Sequence, residues 1–139
     1  MVERMVPALY VEDLDRSKNY YCDLLELKPG FETDWIIQLS DPKNASVELI
    51  LQPMKHDLIP RRFQKPPQGC SLAFVVNDCD ALFKRAQSMG LEIIQEPKNE
   101  HYGQRRFLTV DPDGVLIDVS SNCEPSPEFK EKHFGSQGA

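Results

Sequence analysis

The segment Ala8-Leu9-Tyr10-Val11-Glu12-Asp13-Leu14-Asp15 returns 65 residues later as Ala73-Phe74-Val75-Val76-Asn77-Asp78-Cys79-Asp80, preserving A-[apolar]-x-V-x-D-x-D at both places. Such self-similarity marks an internal duplication, so whatever unit the first half builds the second half must build again. In the first half an apolar strand, Met5 to Val11, runs into a helix with Leu14, Tyr21, Leu24 and Leu25 at helical spacing, Asp13 as its N-cap and Lys28-Pro29-Gly30 as its stop. Residues 31–40 and 45–52 read as two strands about a turn at Asp41 to Asn44. A polar, Pro-containing linker follows.

The second half repeats this order: a strand from Cys70 to Val76, a helix with Cys79, Leu82, Phe83, Ala86 and Met89 on one face, and Gly90 as its cap. Strands at 91–96, 104–110 and 115–121 complete it, the last two joined by Asp111-Pro112-Asp113-Gly114, which reads as a turn and nothing more. The expected fold is α+β, with two βαβββ modules in tandem forming curved mixed sheets around a cleft. Module one spans 4–53, the linker 54–68 and module two 69–122, with a tail at 123–139. A chain of 139 residues has room for one ordinary domain, and neither half is large enough to build a robust core alone.

Composition narrows the function. Sixteen Lys and Arg against 22 Asp and Glu give a net charge of −6, and the basic residues gather only in pairs, Arg61-Arg62 and Arg105-Arg106, so nucleic acid is not an expected partner. No apolar run approaches the ~20 residues of a membrane span, and no signal-peptide core opens the chain, which makes the cytoplasm the expected compartment. Cys22, Cys70, Cys79 and Cys123 form no CxxC and read as small hydrophobic residues under reducing conditions. No Ser-His-Asp order, phosphate loop or dinucleotide glycine fingerprint occurs.

The duplicated unit, the linker and above all Tyr102-Gly103-Gln104-Arg105 leading through Phe107 to Asp111-Pro112-Asp113-Gly114 resemble the glyoxalase, bleomycin-resistance and extradiol-dioxygenase superfamily over residues 4–121. The resemblance implies paired modules enclosing a concave cleft, usually in a homodimer, with activities ranging from lyases and dioxygenases to drug-binding proteins. In metal-dependent members four strands each supply one ligand, and those positions fall here on Val6, Glu48, Ser71 and Asp118. Both carboxylate positions are kept and both imidazole positions are lost, so no cofactor is expected; a divalent metal held by Glu48 and Asp118 is the alternative.

Strand alternation places residues on faces independently of the family. Val47, Leu49 and Leu51 should lie under the helix, and Glu48 on the cleft side. Val115, Ile117 and Val119 should likewise be core and Asp118 cleft-facing. A tight hairpin pairing Val110 with Val115 puts Phe107 and Arg105 on that cleft side. The facing of Trp35 is ambiguous: one register sets Trp35, Ile37 and Leu39 beside Glu48 with Gln38 awkwardly in the core, and a slip of one residue reverses this. Trp35, Phe63, Tyr102 and Phe107 are the candidate aromatic lining. Arg105 matches the arginine of the resembled segment, and Arg106 stands where an acid is usual.

The leading expectation is a metal-independent small-molecule-binding protein, a homodimer sequestering an antibiotic-like ligand that the acidic balance suggests is cationic. A glyoxalase-like lyase or dioxygenase using Glu48 and Asp118 is the rival, and a module degenerate in function and kept for protein contacts is the third reading.

Overall fold

Asp13 ends one element and starts the next. Its backbone is extended and its side chain accepts a hydrogen bond from the Arg16 amide at 3.0 Å, so helix α1 (Leu14–Leu25) follows strand β1 (Ala8–Val11) almost at once. The helix closes at Glu26, which takes the left-handed conformation (φ 59°) and donates its N–H to the Cys22 carbonyl. Strands β2 (Lys28–Glu32), β3 (Ile37–Asp41) and β4 (Asn44–Pro53) follow. The single strand expected over 31–40 is therefore two: Thr33 Oγ1 accepts from the Trp35 and Ile36 amides, and this turn divides them. The sheet runs β1-β4-β3-β2, with β1 parallel to β4 and the other pairs antiparallel.

The same grammar recurs 65 residues on. Strand β5 (Ser71–Val75) leads to helix α2 (Cys79–Ser88), capped by the Asp78 carboxylate on the Ala81 amide at 3.1 Å, and Gly90 (φ +70°) stands just past its end. Strands β6 (Ile93–Glu100), β7 (Gln104–Val110) and β8 (Leu116–Asn122) complete a sheet in the order β5-β8-β7-β6. Two four-stranded mixed sheets with helices make the fold α+β, as the duplication requires. The computed structural model describes residues 1–135, in two compact units: Met1–Cys70 with Asp111–Val115, and Ser71–Val110 with the chain from Leu116 onward.

The tail carries structure of its own. Helix α3 (Pro127–His133) is capped by Ser126 Oγ on the Phe129 amide, while the Ser126 and Cys123 amides donate to the carbonyls of His101 and Gly103. Gly103 sits at φ +105°, and a Cβ there would lie 3.0 Å from Pro125 Cγ, so both the backbone and the approach of the tail call for glycine. Residues 136–139 of the expected tail lie outside the described residues.

Each sheet buries one face. In the first unit Leu9 and Val11, Ile37 and Leu39, and Leu49 and Leu51 alternate inward and meet Tyr20, Tyr21 and Leu24 of α1. Each such aliphatic side chain contributes roughly 1.5–3 kcal/mol of burial. In the second unit Phe107, Thr109, Ile117 and Val119 do the same with Cys79 and Ala86 of α2.

The turn Asp111–Val115, which clusters with the first unit, does more than reverse the chain. Tyr21 on α1 donates its hydroxyl to Asp111 Oδ2 at 2.7 Å, and Asp111 Oδ1 accepts from the Asp113 and Val115 amides, both at 2.9 Å. Asp113 in turn accepts from the Glu12 amide and Ser17 Oγ. Burial, then the Asp111 charge, push the Tyr21 phenol far above its ordinary value, so it stays protonated and donating. Replacing Tyr21 by Phe leaves a carboxylate oxygen of the buried Asp111 without its donor. Urea unfolding should show a loss of about 1–3 kcal/mol, and a Tyr21→Phe variant as stable as the parent would show the bond to be idle.

Candidate functional site

With the helix covering one face of each sheet, chemistry is left to the other. In the first unit Ser40 stands opposite Glu48 and Gln38 opposite Ile50, so Gln38 and Glu48 share the open face while Ile37 and Leu39 go to the core. Of the two registers open to the sequence, this is the slipped one, and the register that put Ile37 and Leu39 beside Glu48 is corrected. It wins because it buries two aliphatic side chains and leaves the amide to hydrogen-bond. Glu48 accepts from Arg4 Nε on Oε2 at 2.6 Å and from Gln38 Nε2 on Oε1 at 2.7 Å. The Arg4 hydrogen bond, helped by its charge and by Gln38, holds the Glu48 carboxyl below its ordinary range.

Asp118 has an arginine too. The β7–β8 ladder pairs Val110 with Leu116, one residue later than expected, because the Val115 amide is held by Asp111 and its side chain is buried with the turn. The slip exchanges faces along β7. Phe107 pairs with Val119, is fully buried and lies edge-on to Phe83 of α2 with ring centroids 5.5 Å apart, so its ring is core and not lining. Arg105 also turns to the helix side. It forms a two-pronged pair with Asp80 in the first turn of α2 (Nε–Oδ2 2.9 Å, Nη2–Oδ1 3.0 Å) and donates Nη1 to Asn99. The bond to Arg105 holds Asp80 below the ordinary carboxylate range.

Arg106 takes the open face in place of Arg105, giving Nη1 to Asp118 Oδ2 at 3.1 Å, with Nε 3.7 Å from Glu100 Oε1. Burial works to lower the Arg106 pKa, but the Asp118 bond together with Tyr102, Asp118 and Glu100 raises it on balance. Asp118 Oδ1 is buried without a hydrogen-bond partner among the described residues.

Of the remaining aromatic candidates, Tyr102 is half-buried and edge-on to His101 in the second unit. Trp35 stacks on His56 in the first, centroids 4.9 Å apart and planes 17° from parallel. That contact belongs to a built strap, residues 54–68. Ile59 anchors it by burial, His56 Nδ1 accepts from the Leu58 amide, and Gln64 Nε2 donates to the carbonyls of His56 and Ile59. A 3-10 turn, Arg61–Phe63, then presents Phe63 with the Arg62 guanidinium 4.8 Å over its ring. Phe63, Lys65, Pro66, Pro67 and Gln68 of the strap, with Ala8 and Tyr10 of β1, line a cavity of about 430 Å³. Phe63 is the one sequence candidate in it. Tyr10 could have been found from its cleft-facing parity, and Lys65 had no signal beyond its place in the linker.

A divalent ion is implied by the family resemblance, but these residues do not suit one. Val6 and Ser71 offer no nitrogen, and both mapped carboxylates already have a guanidinium, Arg4 on Glu48 and Arg106 on Asp118. A metal approaching either acid would meet a fixed positive charge. Among the described residues no group of three or more His, Cys, Asp or Glu is placed to hold an ion, and no helix is long and apolar enough to cross a membrane.

The family model for the Glyoxalase/Bleomycin resistance protein/Dioxygenase superfamily matches residues 5–119. Among solved structures, a member of that superfamily from Sphaerobacter thermophilus superposes with a TM-score of 0.74 at 16% identity, covering 88% of this chain and 98% of that one. Lactoylglutathione lyase from Agrobacterium tumefaciens gives 0.65 at 19% identity over 84% and 91%. An antibiotic binding protein from Streptomyces sp. gives 0.70 at 23% identity over 88% and 97%. At these identities the likeness is one of fold. The curated proteins hold no match to this chain.

The two depressed carboxyls set an acid limit on stability. Because Glu48 and Asp80 have folded pKa values below their unfolded ones, their contribution is full above the unfolded value, about 4, and is lost as pH falls through the lower folded value. Melting temperature measured from pH 6 to pH 2.5 should fall less steeply below pH 4 in the double variant Glu48→Gln/Asp80→Asn than in the parent. Parallel curves would remove these pairs from the account of acid stability.

Proposed function

Since the chain belongs to the glyoxalase/bleomycin resistance protein/dioxygenase superfamily, we propose that it is a metal-independent small-molecule-binding protein that sequesters an organic ligand. The observation that carries this reading is a guanidinium beside each mapped carboxylate, Arg4 on Glu48 at 2.6 Å and Arg106 on Asp118 at 3.1 Å, the latter shared with Glu100 at 3.7 Å. A guanidinium held at a carboxylate opposes its use as a general base or metal ligand, even where one oxygen, Asp118 Oδ1, has no partner among the described residues. Here a positive charge stands beside each acid where a metal would supply one, and the Arg4 hydrogen bond favours the ionised form of Glu48.

The likeness to an antibiotic binding protein supports this choice at the level of fold, and the likeness to a lactoylglutathione lyase keeps the rival in view. A lyase or dioxygenase mechanism through Glu48 and Asp118 has to work against the guanidinium beside each acid. The two mapped carboxylates give a cationic ligand less support than their charge alone suggests, because each faces a guanidinium. The proposed working form is a cytoplasmic homodimer, for which light scattering should return twice the 15.9 kDa chain mass.

The test is the metal content of protein purified without chelator, read by mass spectrometry. Less than about a tenth of an equivalent of any transition metal is expected. Stoichiometric nickel, zinc, iron or manganese would overturn the reading.

A further inference from the structure

We propose that the cavity between β1 and the strap 54–68 is a binding site for a planar aromatic anion, such as an aromatic carboxylate, with Lys65 as the residue that selects its charge. This rests on the reading of the protein as a small-molecule binder and names the ligand's chemical class.

Shape comes first. About 430 Å³ lies within the ~300–1,000 Å³ of small-molecule sites, and its walls are Tyr10 and Phe63, two rigid prolines and the methyl of Ala8. Aromatic and proline surfaces are flat and lose little conformational entropy on binding, so they favour a flat apolar body over a flexible chain.

Charge comes second. Lys65 is the sole charged residue of the lining; its ammonium, the Tyr10 hydroxyl and the Gln68 amide have no hydrogen-bond or ion-pair partner among the described residues. No carboxylate lines the cavity. The strap as a whole is basic in an acidic protein: residues 54–68 hold four Lys and Arg (Lys55, Arg61, Arg62 and Lys65) against the single acid Asp57, leaving twelve against twenty-one elsewhere. Arg62 lies over Phe63, which adds positive potential to the ring that forms the wall. An anionic group beside Lys65 gains a charge-assisted bond, and a cationic one is repelled.

The strap also provides its own reporter. Trp35 is the single tryptophan of the chain and stacks on His56 of the strap, so occupation of the cavity should register in its fluorescence.

The experiment titrates the full-length protein with 2-naphthoate and, separately, with 2-naphthyltrimethylammonium, followed by calorimetry and Trp35 fluorescence. Naphthoate should bind at least tenfold more tightly than the cation. Lys65→Gln, an exposed substitution that leaves the fold intact by circular dichroism, should weaken naphthoate at least tenfold and narrow the difference between the probes. Phe63→Ala should weaken both. Equal affinities, no binding of naphthoate at millimolar concentration, or an unchanged affinity in Lys65→Gln would each overturn the proposal. Repeating the titration with chelator and with added manganese or nickel separates the two readings: naphthoate binding that required metal but still depended on Lys65 would sink metal independence and leave the charge selection standing.

Discussion

Both units depend on one long-range pairing, the parallel ladder that joins the first strand of a module to its last: Ala8–Val11 on Ile50–Pro53, and Ser71–Val75 on Leu116–Ser120. A parallel pair cannot close through a hairpin, so the chain must cross over, and the helix that follows the first strand has to lie on one face of the sheet to complete the connection. Every other assignment descends from this. The face beneath the helix becomes core, alternation sends the intervening side chains to the opposite face, and what the protein can do is limited to the residues found there.

The capping acids made this much legible. Asp13 and Asp78 are small, oxygen-bearing and placed just ahead of an apolar periodicity, and each accepts from the third amide beyond it, so the N-cap read at Asp13 has its counterpart 65 residues on. The registers were harder to read. In the β7–β8 hairpin the tetrapeptide Asp111-Pro112-Asp113-Gly114 looks like a complete turn, yet the loop runs through Val115 because the Asp111 carboxylate takes two amides that a shorter turn would leave free. One residue of loop length is decided by one side-chain oxygen, and it exchanges the faces of Arg105, Arg106, Phe107 and Leu108. Local propensity carries only part of that information, since Asp111 and Asp113 are themselves held by Tyr21 and Ser17, 90 or more residues away in sequence.

The same limit explains the arginines. Glu48 and Asp118 were found from strand parity, but their partners depend on facts that parity lacks. Arg4 lies ahead of the first strand and reaches Glu48 because the parallel ladder brings residues 44 apart together. Arg106 could be matched to Asp118 only after the hairpin slip was known. An acid and its partner thus differ in legibility: the strand's own alternation exposes the acid, whereas the pairing is a property of the sheet. Reading the carboxylates alone suggests a metal or a cation, and reading them with their guanidinium groups weakens the support for both.

Net charge misleads in a related way. The −6 of the chain is an average over a surface, and at physiological salt an exposed charge is largely screened beyond about 8 Å. A ligand seated on Tyr10 and Phe63 responds to the charges that line its cavity before it responds to the total, and the lining charge there is Lys65. The acidic excess sits outside the strap, where it can favour solubility, and two of its members, Glu48 and Asp118, each face a guanidinium. On the proposed reading, a duplicated fold keeps the carboxylate positions of a metal site and still takes an anion, because each acid faces an arginine and the linker between the modules supplies the exposed cation.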